Sequence, residues 1–479
     1  MSGGATDPGG KSAGAHPVPS DGFRRFSLLW ASQSVSVIGT ALTFFAVNIW
    51  LTQTRFPLAS QKPALALALS LTTLAFILPT IVAAPIAGAW ADRHDRRRTM
   101  FAMNCVAGAL STALVALLLS NRLDVPMLLA FLLVYGLCGA FHAASFETSY
   151  AMLVPTIQLA RATGMMQATM ALSGVISPSI AALLIGVPAV ARHGGAGWFA
   201  GLSLAKLSDG TALAVGADAA TFFIAALALL GLEIPSPHRA DLAGPGAASK
   251  TLWHDIQEGA MFVWHRRPML WLIGTFAMVN FILGPVTVLQ PLIVKFNLAA
   301  DWQSRRFTFA SALALLATLH GLGGLAGAVA ISAWGGLKRR RVMGALIPMA
   351  AAGALIAIYG LSASIVRSAV ALFLMGMMWP VTNAHSHAIW LAITPREIQG
   401  RVLSVRRLIG QITFPLGTAI AGWLGARFDP GVAVAMLGGC MALFALIQTV
   451  NPMLTRIEDR AWLEDFAARS AGRGNAKRE

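Results

Sequence analysis

Ionisable side chains inside long apolar stretches are the residues of this sequence best placed to do chemistry. Five of them are candidates for binding and releasing a proton, namely His142, Glu147, Asp218, His385 and His387. A charge in a low-dielectric interior is costly, so each such group is a functional hypothesis. His385 and His387 lie about 200° apart around a helix, so at most one of them faces a shared cavity squarely.

Glu147 and His387 stand at matching places in the two halves of the chain. Glu147 lies eight residues before Pro155, and His387 lies eight residues before Pro395. The repeated spacing predicts that both lie at the same depth, where a carboxylate and an imidazole can exchange a proton across a closing cavity. The alternative is a pair of separate polar residues near one mouth. For Asp218 the alternative is a structural hydrogen bond.

The elements that hold these side chains are twelve apolar segments. Of the 479 residues 56% are hydrophobic and 12% charged, and the mean hydropathy is +0.67. Soluble proteins carry about 25% charged residues, so this composition excludes a soluble enzyme and a disordered scaffold. The segments are 26–52, 64–89, 99–120, 126–153, 164–187, 213–234, 269–295, 307–334, 342–361, 368–393, 403–426 and 432–450. Backbone groups in lipid must be bonded internally, so we expect an all-α membrane protein with twelve transmembrane helices.

The basic residues follow this predicted topology. An even number of spans puts both termini on one side of the membrane. If that side is the cytoplasm, the cytoplasmic loops and tails carry 26 Lys and Arg, and the outer loops carry 10. Such a bias is the positive-inside pattern of membrane proteins. The net charge of +16 is therefore topological and does not indicate nucleic-acid binding. We expect a multi-pass protein of the bacterial cytoplasmic membrane, with both termini cytoplasmic.

Uncharged polar and aromatic side chains are the candidates for contact with a small-molecule substrate, and they are Asn48, Asn280, Gln290 and Trp379. All 36 Lys and Arg are counted in loops, which leaves none for a cavity and favours a neutral or cationic amphipathic substrate. The three cysteines lie inside apolar segments, so neither a disulfide nor a metal site is expected. No nucleophile, phosphate-loop or cofactor motif is present, so we expect neither a cofactor nor an enzyme.

Repeated spacings divide the chain into two halves of six segments. The basic run 96–98 has a partner at 339–341, and Pro178 has one at Pro415, with offsets of 243 and 237 residues. A parallel repeat is typical of transporters that rock two bundles around a central site. The predicted parts are a disordered tail 1–25, a six-helix bundle 26–234, a linker 235–268 with an amphipathic helix, a second bundle 269–450 and a tail 451–479.

The connection between the second and third segments carries the sharpest motif, formed by Gly88, Asp92, Arg93, Arg96 and Arg97. It resembles the loop signature G-x-x-x-D-R-x-G-R-R of the major facilitator superfamily, with Asp95 where the signature has Gly. Gly88 permits close packing of helices at a membrane boundary, and Asp92 can pair with the arginines or cap a helix. We expect this cluster to act as a gate that forms in one conformation and breaks in another. The alternative is a plain cytoplasmic anchor.

Further motifs resemble the drug:proton antiporter branch of that superfamily, with its macrolide-efflux and enterobactin-export members; they are 29–39, 153–162, 218–222, 253–259 and 400–402. Antiporters of this kind carry a glycine-rich motif in helix five, of which Gly164 and Pro178 fit while four other positions hold Ser or Ala. Small residues there preserve close packing, and Pro178 preserves a bend. The resemblance implies that helices one, four, seven and ten line the cavity, which favours His142, Glu147, His385 and His387 over Asp218.

The resemblance implies a secondary efflux transporter that exports a hydrophobic or amphipathic small molecule, drug-like or siderophore-like, by proton antiport and alternating access. Its expected partners are the substrate, protons and the lipid bilayer, and it is expected to be a monomer. One alternative is a lipid or lysophospholipid flippase on the same fold, which headgroup dependence would separate. A second alternative is a receptor or assembly subunit that transports nothing.

Overall fold

The computed structural model describes residues 21–192, 209–234, 257–258, 260–395, 398–459 and 462. Residues 1–20 of the predicted tail 1–25, most of the linker with its Trp253 and the end of the chain after 462 lie outside these residues. Within the described part of the linker, residues 260–264 are helical. The first spanning helix begins at Gly22, so the predicted tail boundary at residue 25 falls inside that helix.

Twelve helices in the described residues are long and apolar enough to cross a membrane, which confirms the twelve predicted segments and makes the chain a multi-pass membrane protein. They are α1 (Gly22–Ile49), α2 (Lys62–Arg93), α3 (Arg96–Leu119), α4 (Val125–Leu153), α5 (Leu159–Arg192), α6 (Thr211–Leu230), α7 (Arg267–Leu292), α8 (Phe309–Trp334), α9 (Arg341–Gly360), α10 (Ile365–Ile393), α11 (Gln399–Arg427) and α12 (Pro430–Thr449).

Helices α1 and α7 end in the same unusual way. Each continues into a short π-helix, Trp50–Arg55 after α1 and Ile293–Asn297 after α7. A π-turn widens the helix and changes which backbone groups are bonded, and it is rare enough to mark a special site. The matching positions of the two turns agree with the repeat that the sequence indicates.

Aspartates begin several of these helices. The side chain of Asp95 accepts a hydrogen bond from the main-chain N–H of Arg98, and Asp124 and Asp429 cap α4 and α12 in the same way. Each cap satisfies one of the backbone donors that the first turn of a helix leaves unpaired. The helix starts are therefore fixed by the sequence at the membrane boundary.

Small residues allow the helices to approach one another closely. A Cβ on Gly353 of α9 would lie 2.5 Å from the main-chain nitrogen of Ala442 on α12, and Gly438 meets α9 just as closely. Only glycine fits at this crossing, where the backbones are in direct contact. Most of the remaining faces of these helices carry exposed apolar side chains, as a lipid-facing surface requires.

The first six helices contact the last six mainly through α2 against α11 and α5 against α8. Ser70 donates to the main-chain oxygen of Thr418 at 2.5 Å, and Lys62 donates to that of Phe428 at 2.9 Å. In the described chain, the hydrogen bonds between these two sets of helices lie between mid-helix and the end that carries the α1–α2 connection. The two halves are therefore joined at that end, which we call the closed end.

Candidate functional site

The α2–α3 connection is organised by Asp95 and the arginines rather than by Asp92. Asp95 caps α3 and forms an ion pair with Arg98 at 3.5 Å, whereas the exposed Asp92 has no hydrogen bond to any described residue. The guanidinium of Arg96 donates to the main-chain oxygen of Ala91 at 3.1 Å and to the sulfur of Met152. These bonds anchor the connection to α4. The capping role that the sequence left open for Asp92 belongs to Asp95.

Gly88, which the sequence predicted at a close helix contact, is open in this conformation. A Cβ placed on Gly88 would meet no atom within 4 Å, so the predicted close contact is not formed in this structure. Arg93, five residues on, is exposed, while Arg97 donates to the main-chain oxygen of Leu230 at 2.6 Å and so joins α3 to the end of α6.

Asp218 of α6 is fully buried and is surrounded by hydroxyl groups. Its Oδ2 accepts hydrogen bonds from Thr43 Oγ1 at 2.6 Å, Tyr135 Oη at 2.8 Å and Ser111 Oγ at 3.2 Å. These donors come from α1, α4 and α3, so four helices meet at one carboxyl group. Among the described residues no Lys, Arg or His bonds to Asp218, and its Oδ1 has no hydrogen-bond partner.

A glycine opens the space in which Asp218 lies. A Cβ on Gly39 of α1 would lie 2.7 Å from Asp218 Oδ1 and would overlap Thr221 Oγ1. Only a residue without a side chain lets α1 approach α6 this closely. Asp218 Oδ1, the carboxyl oxygen without a hydrogen-bond partner, therefore lies next to the backbone of α1 at Gly39.

A small cavity of about 110 Å³ lies beside this carboxyl group. Tyr135 and Thr40, whose hydroxyls are 3.3 Å apart, line it on the side of Asp218. His142 lines it on the other side and has Nε2 at 2.9 Å from the side-chain oxygen of Gln33. The cavity therefore brings His142 and the hydroxyls of Tyr135 and Thr40 to one space, whose surface is mainly apolar.

A second cavity of about 170 Å³ holds Glu147 and shares His142 with the first. Trp30, Phe146 and Met166 give it an apolar lining. Glu147 is exposed at its edge, as a residue near an aqueous mouth would be. The structure thus places His142 and Glu147 in one cavity and connects that cavity, through His142, with the space beside Asp218.

A third cavity of about 320 Å³ lies between α7, α10 and α11 and is lined by Asn280, Trp379, His387, Arg406 and Arg407 among others. Two predicted contact residues, Asn280 and Trp379, therefore lie in one cavity. Its two arginines correct the expectation that no cation is left for a cavity. Arg406 and Arg407 lie within α11 (Gln399–Arg427), and they already fell inside the predicted segment 403–426, so they should not have been counted with the loops.

The remaining predicted residues lie elsewhere. Glu147 and His387 line different cavities and do not bond to each other. His385 is buried, with Nε2 accepting from the main-chain N–H of Leu337 at 2.8 Å and Nδ1 at 2.8 Å from the oxygen of Val381. Its Nε2 bonds the α8–α9 connection and its Nδ1 bonds a carbonyl of its own helix, and His385 lines a different cavity from the one that holds His387. Asn48 and Gln290 are half-buried and lie outside the three cavities.

The helix-five residues behave as a packing element. Pro178 lies buried inside α5, and the neighbouring Ser177 donates to the main-chain oxygen of Ile38 on α1 at 3.0 Å. Close approach of α5 to α8 occurs at Gly321, where a Cβ would lie 2.9 Å from Val175. Gly164 is exposed, with no atom within 4 Å of its Cβ position.

Sequence reasoning missed the hydroxyl partners of Asp218 and the role of α11. Tyr135 is one of only three tyrosines in the chain, and its place in an apolar segment was a signal that it has a polar partner. Arg406 and Arg407 lie inside the predicted segment 403–426, so their presence at membrane depth was visible in the sequence.

Twelve spanning helices, with cavities among them that combine apolar surface and a few polar side chains, are typical of a membrane transporter. The chain matches the family profile described as Major Facilitator Superfamily over residues 29–418, and it belongs to that family. It is 25% identical over 440 residues to macrolide efflux protein A of Streptococcus pyogenes, covering 90% of this chain and 96% of that protein. It is 27% identical over 381 residues to the enterobactin exporter EntS of Shigella flexneri, covering 76% and 79%.

A solved structure has the same fold. The D-xylose–proton symporter matches with a TM-score of 0.61 at 14% identity, covering 90% of this chain and 98% of that chain. The efflux-protein relatives agree with the resemblance that the sequence motifs indicated.

Proposed function

We propose that this protein is a secondary active efflux transporter of the bacterial cytoplasmic membrane that exports an amphipathic small molecule in exchange for protons. Helices α1–α6 and α7–α12 form two bundles that move relative to each other, each with cavities among its own helices, and both termini are cytoplasmic. The efflux proteins among its relatives support the direction of transport. The excess of basic residues in the loops on the side of the termini supports the orientation.

In this orientation the conformation described above faces the cytoplasm. The contacts of α2 with α11 and of α5 with α8 close the outer end. The cavities that hold Glu147 and His387 lie toward the cytoplasmic end, where they are accessible to a substrate from the cell. The open surface at Gly88 fits a second conformation in which the halves close at this end and the α2–α3 connection packs against the opposite half.

The surroundings of Asp218 are the observation that supports proton coupling. A carboxylate at membrane depth without a cationic partner is costly, while the neutral acid is not, so this group favours the protonated state when it is sealed from water. Three hydroxyl donors lower the cost of the charged form when water enters. The group can therefore take up a proton in one conformation and release it in another. His142 and Tyr135 connect it with the cavity of Glu147.

Glu147 and His387 remain the rival coupling residues. Each lies at a cavity surface and is more exposed than Asp218. An exposed group exchanges protons with water in every conformation in which its cavity is open, which couples it less tightly to the movement of the helices. We therefore place Asp218 first and Glu147 with His387 second.

Everted membrane vesicles with an acidified interior and an internal pH dye test the proposal. The compounds added are erythromycin, a catecholate siderophore and a lysolipid. At least one of them should collapse the pH gradient in vesicles with the wild type, and the same compound should not do so in vesicles with Asp218→Asn. Glu233→Gln removes an acid from beyond the end of the same helix and should behave as the wild type. Exchange of preloaded compound without a gradient should survive in Asp218→Asn, because only the coupling is removed.

Other results would redirect the proposal. A response of Asp218→Asn equal to the wild type would move coupling to Glu147 or His387, which Glu147→Gln and His387→Ala then separate. No response of the wild type to any compound contradicts proton antiport. Movement of lysolipid without proton movement would favour the flippase alternative.

A further inference from the structure

The side chain of Arg406 is held in place inside the cavity between α7, α10 and α11. Its Cζ lies 5.8 Å from the ring centroid of Phe276 and 5.8 Å from that of Trp390. One of its guanidinium nitrogens donates to Ser386 Oγ at 3.2 Å. Two rings from different helices and one hydroxyl thus fix the guanidinium, and a planar cation between rings is a favourable arrangement.

Among the described residues, no acidic side chain pairs with this cation. The ion pairs of the described chain do not include Arg406, and the cavity lining contains no Asp or Glu. His387 and Arg407 line the same cavity and can only add positive charge to it. A half-buried arginine at membrane depth is normally paired, so the unpaired cation indicates that the missing anion arrives with a ligand.

The rest of the cavity has the surface of a site for a flat apolar molecule. Trp379, Trp390 and Phe276 supply aromatic faces, and Asn280 and Asn383 supply amides. Its volume of about 320 Å³ lies at the lower end of the range for small-molecule sites. An aromatic body against the rings would put an acidic substituent within reach of the guanidinium.

We infer that this cavity binds an aromatic amphipathic anion, with Arg406 as the group that recognises its carboxylate or equivalent acidic substituent. The inference rests on the proposed function, since it names the substrate class of the transporter. It reverses the expectation from loop counting that the substrate is neutral or cationic. Arg406 contacts the ligand directly, because the planar guanidinium matches a carboxylate in shape and charge.

A pair of probes that differ only in charge tests this inference. The full chain in lipid nanodiscs is titrated with 1-pyrenebutyrate and with its neutral amide, and binding is followed by quenching of tryptophan fluorescence, with empty nanodiscs subtracted. The wild type should bind the carboxylate about tenfold more tightly than the amide, which corresponds to ~1.4 kcal/mol. Arg406→Met should abolish this preference while keeping the affinity for the amide, and retained amide binding shows that the cavity is folded.

Two further variants sharpen the result. Arg406→Lys keeps the charge but loses the planar fork, so it should keep only part of the preference. Arg427→Met removes an arginine from the far end of the same helix and should leave both affinities unchanged. A wild type without preference for the carboxylate, or an Arg406→Met variant that keeps it, would overturn the inference.

These measurements are made without a pH gradient, so they do not depend on proton antiport. Loss of antiport in the vesicle experiment with a normal carboxylate preference here would contradict the proposed function alone. Normal antiport without any preference for the carboxylate would contradict the anionic substrate class alone.

Discussion

The ammonium group of Lys295 lies 2.6 Å from the main-chain oxygen of Thr52. It donates to the oxygen of Phe56 at the same distance, so one side chain from the π-turn after α7 binds the carbonyls at the π-turn after α1. A cation at the carbonyl end of a helix is favourable, and these bonds are charge-assisted. The contact joins the first half of the chain to the second at the closed end.

Removal of this contact should open the closed end more often. In a background without the three native cysteines, Lys295→Met should raise the labelling of Ala66→Cys, on α2 near α11, by a membrane-impermeant maleimide. We expect about a fivefold rise, because ~1 kcal/mol of differential stabilisation changes a population ratio by that factor. Arg305→Met breaks a nearby ion pair within one half and serves as the control. Unchanged labelling in Lys295→Met would show that this contact does not hold the end closed.

The hydroxyl of Tyr135 should matter for proton-driven transport alone. Tyr135→Phe removes the donor at 2.8 Å from Asp218 and the link to the cavity of His142, so gradient-driven export should slow several-fold. Exchange without a gradient should continue at the rate of the wild type. Tyr150→Phe, also in α4, packs against Phe26 and is the matched control. Equal loss of both transport modes in Tyr135→Phe would point to a structural role.

Replacing each of two glycines by alanine should distinguish a closely packed position from one with free space around it. Gly39→Ala places a methyl group 2.7 Å from Asp218 Oδ1 and into Thr221 Oγ1, so we expect a loss of about 1–3 kcal/mol in stability and a lower Tm. Gly88→Ala meets no atom within 4 Å and should leave the Tm unchanged. If Gly88 packs in the other conformation, the same variant will still slow transport. A Tm for Gly39→Ala equal to that of the wild type would contradict the close approach of α1 to α6.

Stability at low pH should depend on Asp301, in the connection between α7 and α8. Its pKa is held below the usual value, first by the main-chain N–H of Ile365, which donates at 2.8 Å, and then by Arg305. A lowered folded-state pKa means that the carboxylate stabilises the fold above the unfolded value of about 3.9, and that this contribution is lost as the pH falls through the folded pKa.

The measurement is the Tm of the wild type and of Asp301→Asn between pH 7 and pH 3. The variant should have the lower Tm at neutral pH, and the difference should shrink as the pH falls. Arg305→Met should have the smaller effect, because the main-chain bond from Ile365 is the larger cause. A difference in Tm that stays constant with pH would contradict the assignment.

The fold could be predicted much further than the site. Twelve apolar runs are enough to define the spanning helices, because lipid forces each run to satisfy its own backbone. The position of Asp218 in an apolar run marked it as a candidate, but its partners Thr43, Ser111 and Tyr135 come from three other helices that sequence spacing does not relate. The rotation of each helix about its axis decides which groups meet, and that depends on packing.

One prediction was wrong, and another stays a prediction. Arg406 and Arg407 were counted with the loops although they lie inside the predicted segment 403–426, and the structure places them at a cavity. Gly88 was predicted at a close contact because small residues favour one, and this structure does not form that contact. A sequence motif can reflect contacts of several conformations, whereas one structure shows a single conformation.

The cavity of Glu147 and the space beside Asp218 share two lining residues, Val37 and His142. In the proton cycle that we propose, a partition of two side chains would set the timing. While the imidazole separates the two spaces, the carboxyl group would keep the protonation state that it had when its surroundings last closed, and the next movement of the helices could depend on that state. With a small residue at position 142, the carboxyl group would follow the pH of the cavity of Glu147 throughout the cycle, and its protonation would no longer depend on the conformation.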